Sequence, residues 1–225
     1  MAMIREGEDL LGVAGRHLPD GVRISAHVQH GRRLVLALEG GEVPLGWLDT
    51  DADEPRLRTI LCAARPVQAL LPHGDGVLAI SDEDISRYRW PEAGAEPERV
   101  QRALLPLGGR RLLSAVGSPR HVALLATQCG PLRGRSRLHG LLKDPAPDSC
   151  RMDLLLVLDA SSFREVGAAA FEQTWNRCLE EPPSPRWTRL ELSPSLLEVH
   201  CRDASVRRIE LGEGDLADLQ DRLNG

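Results

Sequence analysis

The stretch Pro66–Pro91 limits the folds open to this chain more than any other. It holds three short apolar runs, VQALLP, GVLAIS and ISRYRW, split by a Gly-rich turn at His73–Gly76 and an acidic turn at Ser81–Asp84. Runs this short, broken by turns this tight, read as β-strands paired antiparallel with their chain neighbours. A sheet of three or four such strands has two faces and must bury them against neighbours of the same kind.

The same layout recurs. Val22–Val28, Arg33–Glu39 and Glu42–Asp49 are three strands joined by tight turns, and Arg56–Ala64 follows as a fourth strand or a short helix. Val100–Leu107, Arg110–Ser118 and His121–Gln128 come next. Asp153–Phe171 reads as strand, turn at Asp159–Ser162, and strand. Trp187–Ser193, Ser195–Cys201 and Ser205–Leu211 form a last group. The turn before each central strand falls at Gly31, Gly74, Pro119 and Pro194, a spacing of about 45 residues that is stretched once by a Gly/Pro/Arg-rich segment, 129–149. We expect repeats near 22–64, 65–98, 99–171 and 186–211 in one domain over 1–225, with 129–149 as an inserted loop. Ile4–Val13 reads as a helix or a lead-in strand. A helix is expected over Glu172–Leu179, and another at the end with Leu216, Leu219 and Leu223 on one face.

The segments HGDGVLAISDEDISRYRW and DLLLVLDASSFREVG resemble blades of WD40 and YVTN-type β-propellers, although the Gly-His and Trp-Asp dipeptides of WD40 repeats are absent. The resemblance implies a mainly β, propeller-like array of about four antiparallel repeats, each of three or four strands. It also implies a protein that presents faces and inter-blade loops to protein partners. A β-sandwich of meanders is the competing architecture. Four blades is the low end for a propeller, so an open edge completed by a partner or a second copy is a further expectation.

Charge is unevenly spread. From Arg99 to Lys143 there are nine basic residues and no acidic one, while the chain as a whole carries −5. This segment supplies the candidate partner-binding residues Arg110, Arg111, Arg120, Arg133, Arg135, Arg137 and Lys143, which would meet an acidic protein surface. Nucleic-acid binding through residues 110–143 is the weaker alternative, because no aromatic side chain in that stretch could stack on a base. One lysine against 27 arginines points to a GC-rich, bacterial source. Five scattered cysteines without a C-x-x-C pair read as reduced thiols. The acidic start of the chain lacks the basic, then apolar, pattern of a secretory leader. Together these lead us to expect a cytoplasmic protein.

Chemistry finds little footing. Asp49, Asp51, Asp53 and Glu54 are spaced like the start of a calcium loop, but Glu54 stands where glycine is needed and Ile60 where glutamate is. Asp82, Glu83 and Asp84 read as a strand connection. The seven histidines form no zinc pattern, and His200 and Cys201, adjacent on a strand, face opposite ways. No G-x-S-x-G or phosphate-cradling motif occurs, and Gly117-Ser118-Pro119 has turn composition. Cys129 and Cys150 flank the inserted segment, where Arg133 and Arg135 could activate a thiol; incidental thiols are the simpler reading. Trp47, Tyr88, Trp90, Trp175 and Trp187 read as core, with an exposed interface anchor as the sharper option. The expected function is therefore a non-catalytic interaction module or scaffold subunit. It would need no cofactor, would touch neither membrane nor small-molecule substrate, and could self-associate. A propeller-type hydrolase or lyase with a metal at its axis is the alternative.

Overall fold

The computed structural model describes residues 10–30, 33–49, 56–60, 66–90, 95–107, 110–131, 149–175, 181–212 and 216–224. Among the described residues fifteen strands fall in four sheets. β1 (Arg23–His30), β2 (Arg33–Glu39), β3 (Leu45–Asp49) and β4 (Arg58–Thr59) make the first, and β5 (Ala69–His73), β6 (Gly76–Ile80), β7 (Asp84–Arg89) and β8 (Glu98–Leu104) the second. The third holds β9 (Arg111–Gly117), β10 (His121–Pro131), β11 (Ser149–Asp159) and β12 (Glu165–Trp175). The last has three strands, β13 (Trp187–Leu192), β14 (Leu196–Cys201) and β15 (Val206–Glu210). Within each sheet every strand pairs antiparallel with its neighbour in the chain. Helix α1 (Leu10–Gly15) precedes the sheets and α2 (Leu219–Asn224) follows them. The fold is thus mainly β, four consecutive antiparallel meanders and a short C-terminal helix, as the repeat spacing predicts.

The chain divides into two compact units, Met1–Gly108 and Gly109–Gly225. In the first, β2 is buried along its length and separates two cores. Val35 and Ala37 face Trp47, Val77, Tyr88 and Trp90, whereas Leu34, Leu36 and Leu38 meet Ala14 and Leu48. Trp47 and Trp90 meet edge to face, ring centroids 6.0 Å apart, and the Arg58 guanidinium lies 5.1 Å from the Trp47 centroid. Gly76 at the start of β6 is required: a Cβ there would sit 2.0 Å from the Tyr88 carbonyl oxygen.

In the second unit β10 is also buried on both faces, its Ala123 and Leu125 joining Leu155, Val157, Trp187, Leu197, Val199 and Ile209 between the two sheets. β13 packs on β9 and β10, just as β5 packs on β1 and β2 in the first unit. The outer face of the last sheet differs, being charged: Arg208 is ion-paired to Glu198 at 2.7 Å, and His200 lies 3.3 Å from Glu191. Leu216, Leu219 and Leu223 are all buried, the apolar face expected of the terminal helix.

Several expectations need correction. Glu172–Trp175 belongs to β12, paired with Ser149–Met152, so no helix begins at Glu172. The period-two inward face Gly167, Ala169, Phe171, Gln173, Trp175 and the waiting β11 edge override the helix preference of Glu172 and Gln173. Residues 176–179 lie outside the described residues. Cys129–Pro131 and Ser149 are strand, not loop, because β10 and β11 stay in register as far as Pro131↔Ser149. Of the run 56–64, whose residues 61–64 lie outside the described residues, Arg58–Thr59 is strand, one of the two options expected. And Glu98–Leu104 closes the second sheet on β7, so the boundary expected at residue 98 falls at the first residue of β8. The five large aromatics are all buried, which corrects the exposed-anchor option.

Candidate functional site

Between the sheets of the second unit the core is apolar at one end and polar at the other. Along β12 the inward positions run Ala169, Phe171, Gln173. Along β14 they end at Cys201, and along β15 Arg207 follows inward from Ile209. Where leucine and valine give out, a cleft of about 390 Å³ opens, lined by Phe171, Gln173, Arg186, Cys201, Arg202 and Arg207, with Ser184, Asp203 and Ser205 at its rim.

Its floor is fixed by a buried carboxylate. Asp153 on β11 is fully buried; it accepts a hydrogen bond from Thr127 Oγ1 at 2.6 Å and one from the Arg186 backbone N–H at 2.7 Å. Arg151 Nε stands 3.9 Å away. The Arg186 carbonyl in turn accepts from the Arg202 N–H at 2.9 Å. One residue thereby ties the central strand of one sheet to the β14–β15 turn of the other. The Arg186 guanidinium stacks 4.2 Å from the Phe171 ring centroid and reaches Asn224 Oδ1 at 3.4 Å.

The β14–β15 turn is built for this place. Asp203 Oδ1 accepts from the Ser205 hydroxyl at 2.6 Å and its N–H at 3.0 Å. These bonds, helped by Arg207, hold the Asp203 carboxyl below the usual carboxylate range. Ala204 carries φ 65°, a left-handed conformation that glycine adopts more cheaply.

Two features of the cleft are uncommitted. Among the described residues neither Arg202 nor Arg207 has a side-chain hydrogen bond or salt bridge, and the buried Gln173 Oε1 has no hydrogen-bond partner. Three guanidiniums against the single carboxylate of Asp203 make the lining net positive. Planar guanidinium forks favour carboxylate or phosphate oxygens, and the amide oxygen accepts an N–H or O–H. Cys201 is a free thiol without a histidine in the lining. Among the described residues no group of three or more His, Cys, Asp or Glu is placed to hold a metal ion.

The basic residues read from the sequence are distributed differently. Arg110 and Arg111 stand where β9 begins, Arg110 donating to Met152 Sδ at 3.2 Å. Arg120 occupies the β9–β10 turn, its carbonyl accepting from the Ala160 N–H. These places are opposite ends of β9, about 20 Å of strand apart. Arg133, Arg135, Arg137 and Lys143 lie outside the described residues, as do Asp51, Asp53 and Glu54. Asp84 is engaged, with Ser81 capping the turn and Arg102 paired to it across β8 at 2.6 Å. Ser118 is likewise a turn residue, its Oγ accepting from the His121 N–H at 3.0 Å. Sequence reading missed Arg186, Arg202 and Arg207 because acidic and neutral residues dilute the charge around them, and only strand pairing assembles them. The one local signal was a hairpin turn, Arg202-Asp203-Ala204-Ser205, followed at once by Val206-Arg207-Arg208.

No family profile matches this chain, and no curated protein matches it in sequence. Among solved structures, the computationally designed Ika4 protein aligns over 84% of this chain and 92% of its own, at 12% identity and a TM-score of 0.46. Sqt1 of Saccharomyces cerevisiae aligns over 87% of this chain at 10% identity and TM-score 0.45, and the Pan2 WD40 domain of Neurospora crassa over 86% at 8% and 0.36. The chain spans 60% of the Sqt1 chain, 65% of the Pan2 chain and 47% of that of the designed Ika8 protein. The four consecutive meanders are themselves the ground for describing this chain as a divergent propeller-like repeat protein. No described helix is long and apolar enough to cross a membrane.

Proposed function

We propose that this chain is a non-catalytic interaction module, a subunit of a larger cytoplasmic assembly that grips an acidic segment of a protein partner. The observation that carries this reading is the pair of uncommitted guanidiniums, Arg202 and Arg207, opening beside the unpaired Gln173 Oε1. Arginines already hydrogen-bonded to neighbours would have little left to offer; among the described residues these two hold no side-chain hydrogen bond or salt bridge. A carboxylate side chain satisfies them, and a backbone N–H of the same segment satisfies the amide. The free thiols of Cys129, Cys150 and Cys201 accord with a reducing compartment. Arg110, Arg111, Arg120, Arg133, Arg135, Arg137 and Lys143 are a second proposed contact for the same acidic partner.

The test is a fluorescence-anisotropy titration of a labelled Glu-rich peptide with wild type, with R202E/R207E and with R133E/R135E/R137E. Saturable binding that weakens at least about tenfold in the first variant and falls with salt supports the cleft. Loss only in the second moves the contact to the 129–149 segment. Equal affinity for all three, or tighter binding of an RNA or DNA oligomer of the same length, overturns the reading.

A further inference from the structure

Among the described residues the first three sheets have four strands each and the last has three. Which backbone groups of β15 remain open follows from its register. Cys201 N–H donates to the Ser205 carbonyl and Leu211 N–H to the Ser195 carbonyl, both at 2.8 Å. With Val199↔Arg207 and Leu197↔Ile209 in register, residues 205, 207, 209 and 211 turn their N–H and C=O toward β14. Val206, Arg208 and Glu210 turn theirs away. The Glu210 carbonyl is taken by Arg222 Nη1 at 3.3 Å. The outward groups of Val206 and Arg208 have no partner among the described residues. The outer strand of the neighbouring sheet contrasts with this: Val166 O accepts from the Leu216 N–H, and the Ala170 N–H donates to Gln220 Oε1 at 2.7 Å.

We infer that β15 receives an extended acidic segment of the partner as a fourth, antiparallel strand, with one carboxylate seated in the arginine cleft. The inference rests on the acidic-partner reading above and specifies its mode. Val206 and Arg208 would form the hydrogen-bonded pairs with the incoming strand. The residue opposite Arg207 would then be a non-hydrogen-bonded pair, the closer kind, with its side chain on the cleft face. That position faces the Arg207 guanidinium, which has no salt bridge among the described residues, and so takes Glu or Asp. The residues on either side of it point to the outer face, where Val206 is 38% exposed and accepts a β-branched neighbour. Arg208 is already paired with Glu198, so the positive charge left to steer the segment lies on the cleft side. The required sequence alternates apolar and acidic residues. A basic or Pro-rich segment is rejected.

The probe is an acetylated, amidated, fluorescein-labelled peptide of seven residues alternating Val and Glu. Two further versions are N-methylated on the Val residues or on the Glu residues. Strand addition predicts that N-methylation at Val, whose N–H groups face β15, weakens binding by about tenfold or more, while N-methylation at Glu changes it less than about twofold. Val206→Pro, which removes an outward N–H and leaves the β14 ladder intact, must weaken the parent peptide alike. Circular dichroism of V206P confirms the fold. If both methylated peptides and V206P bind as the parent does while R202E/R207E binds weakly, strand addition is overturned and the cleft reading survives. If the parent peptide fails to bind wild type, both fall. If wild type sediments as a dimer that V206P converts to monomer, the edge belongs to a second copy and the proposal is overturned.

Discussion

Replacing Asp153 tests whether hydrogen bonding at one buried carboxylate holds the second unit's two sheets together. Asp153→Ala leaves the buried Thr127 hydroxyl and the Arg186 N–H without their acceptor. Each orphaned group costs about 1–3 kcal/mol. Relief from burying a charge offsets part of that, so the net loss is about 3 kcal/mol. Asp153→Asn keeps the shape. Its amide oxygen still accepts from Arg186 N–H and its NH₂ donates to a rotated Thr127 hydroxyl, leaving only the 3.9 Å approach of Arg151 unanswered. That loss is about 1 kcal/mol. Urea unfolding followed by tryptophan fluorescence separates the two, since Trp187 adjoins Arg186 in the same core. With a slope of about 1.5 kcal/mol per M for a unit of this size, D153A moves the midpoint down by about 2 M and D153N by less than about 1 M. Equal midpoints for the two variants would refute the reasoning, because charge and not hydrogen bonding would then be at work. A D153A midpoint within about 0.3 M of wild type would do the same.

Three other outcomes are expected. Ala204→Gly, relieving φ 65°, raises stability by about 1 kcal/mol, read as a Tm increase of a few degrees; no increase would mean the turn bears no strain. Gly167→Ala would put a Cβ 2.7 Å from Leu216 Cβ, so the terminal helix must shift. We expect a loss of about 2 kcal/mol and faster amide exchange across 219–224, and an unchanged exchange pattern would contradict the docking described. On acidification, stability falls in two windows. Burial holds His73 and His121 below their ordinary value, so stability present above about pH 6.5 declines below it as the unfolded chain binds protons first. Asp159, held at about 2 by Ser161 and Ser162, contributes above the ordinary carboxylate value and loses that contribution between about pH 4 and 2. Being largely solvated, it is worth about 1 kcal/mol at most. A denaturation series over pH 2–8 must show the lower step shrink in Asp159→Asn, the remainder belonging to Asp203 and Asp218, whose carboxyls are lowered by their bonds to Ser205 and Arg222.

The repeat plan was legible because turn chemistry and period-two burial are local properties. Ser81–Asp84 and Asp159–Ser162 announce their turns through side chains hydrogen-bonded within the turn itself, and His73–Gly76 through Gly74 at φ 56°, and the strands between them follow. What escaped was set by partners distant in sequence. Glu172–Trp175 look helical until β11 is seen to need them, and Glu98–Leu104 join the second sheet only through their bonds to β7. The cleft was illegible for the same reason. Its guanidiniums sit at 186, 202 and 207 and its amide at 173, and no window of sequence shows that their strands end side by side. Density of charge drew attention to 99–143 instead, where Arg111 and Arg120 prove to be separated by the length of β9.

Pairing each strand only with its chain neighbour has an evolutionary consequence. β10 and β11 hold eleven residue pairs in register as far as Pro131↔Ser149, so their meeting is specified by the strands themselves. Lengthening the connection between such strands from about 4 residues to about 17 costs only about 1.3 kcal/mol of closure entropy. A connection between strands so paired can change or lengthen while the sheet beneath stays the same. A protein so made can acquire a new partner at one connection without refashioning any sheet.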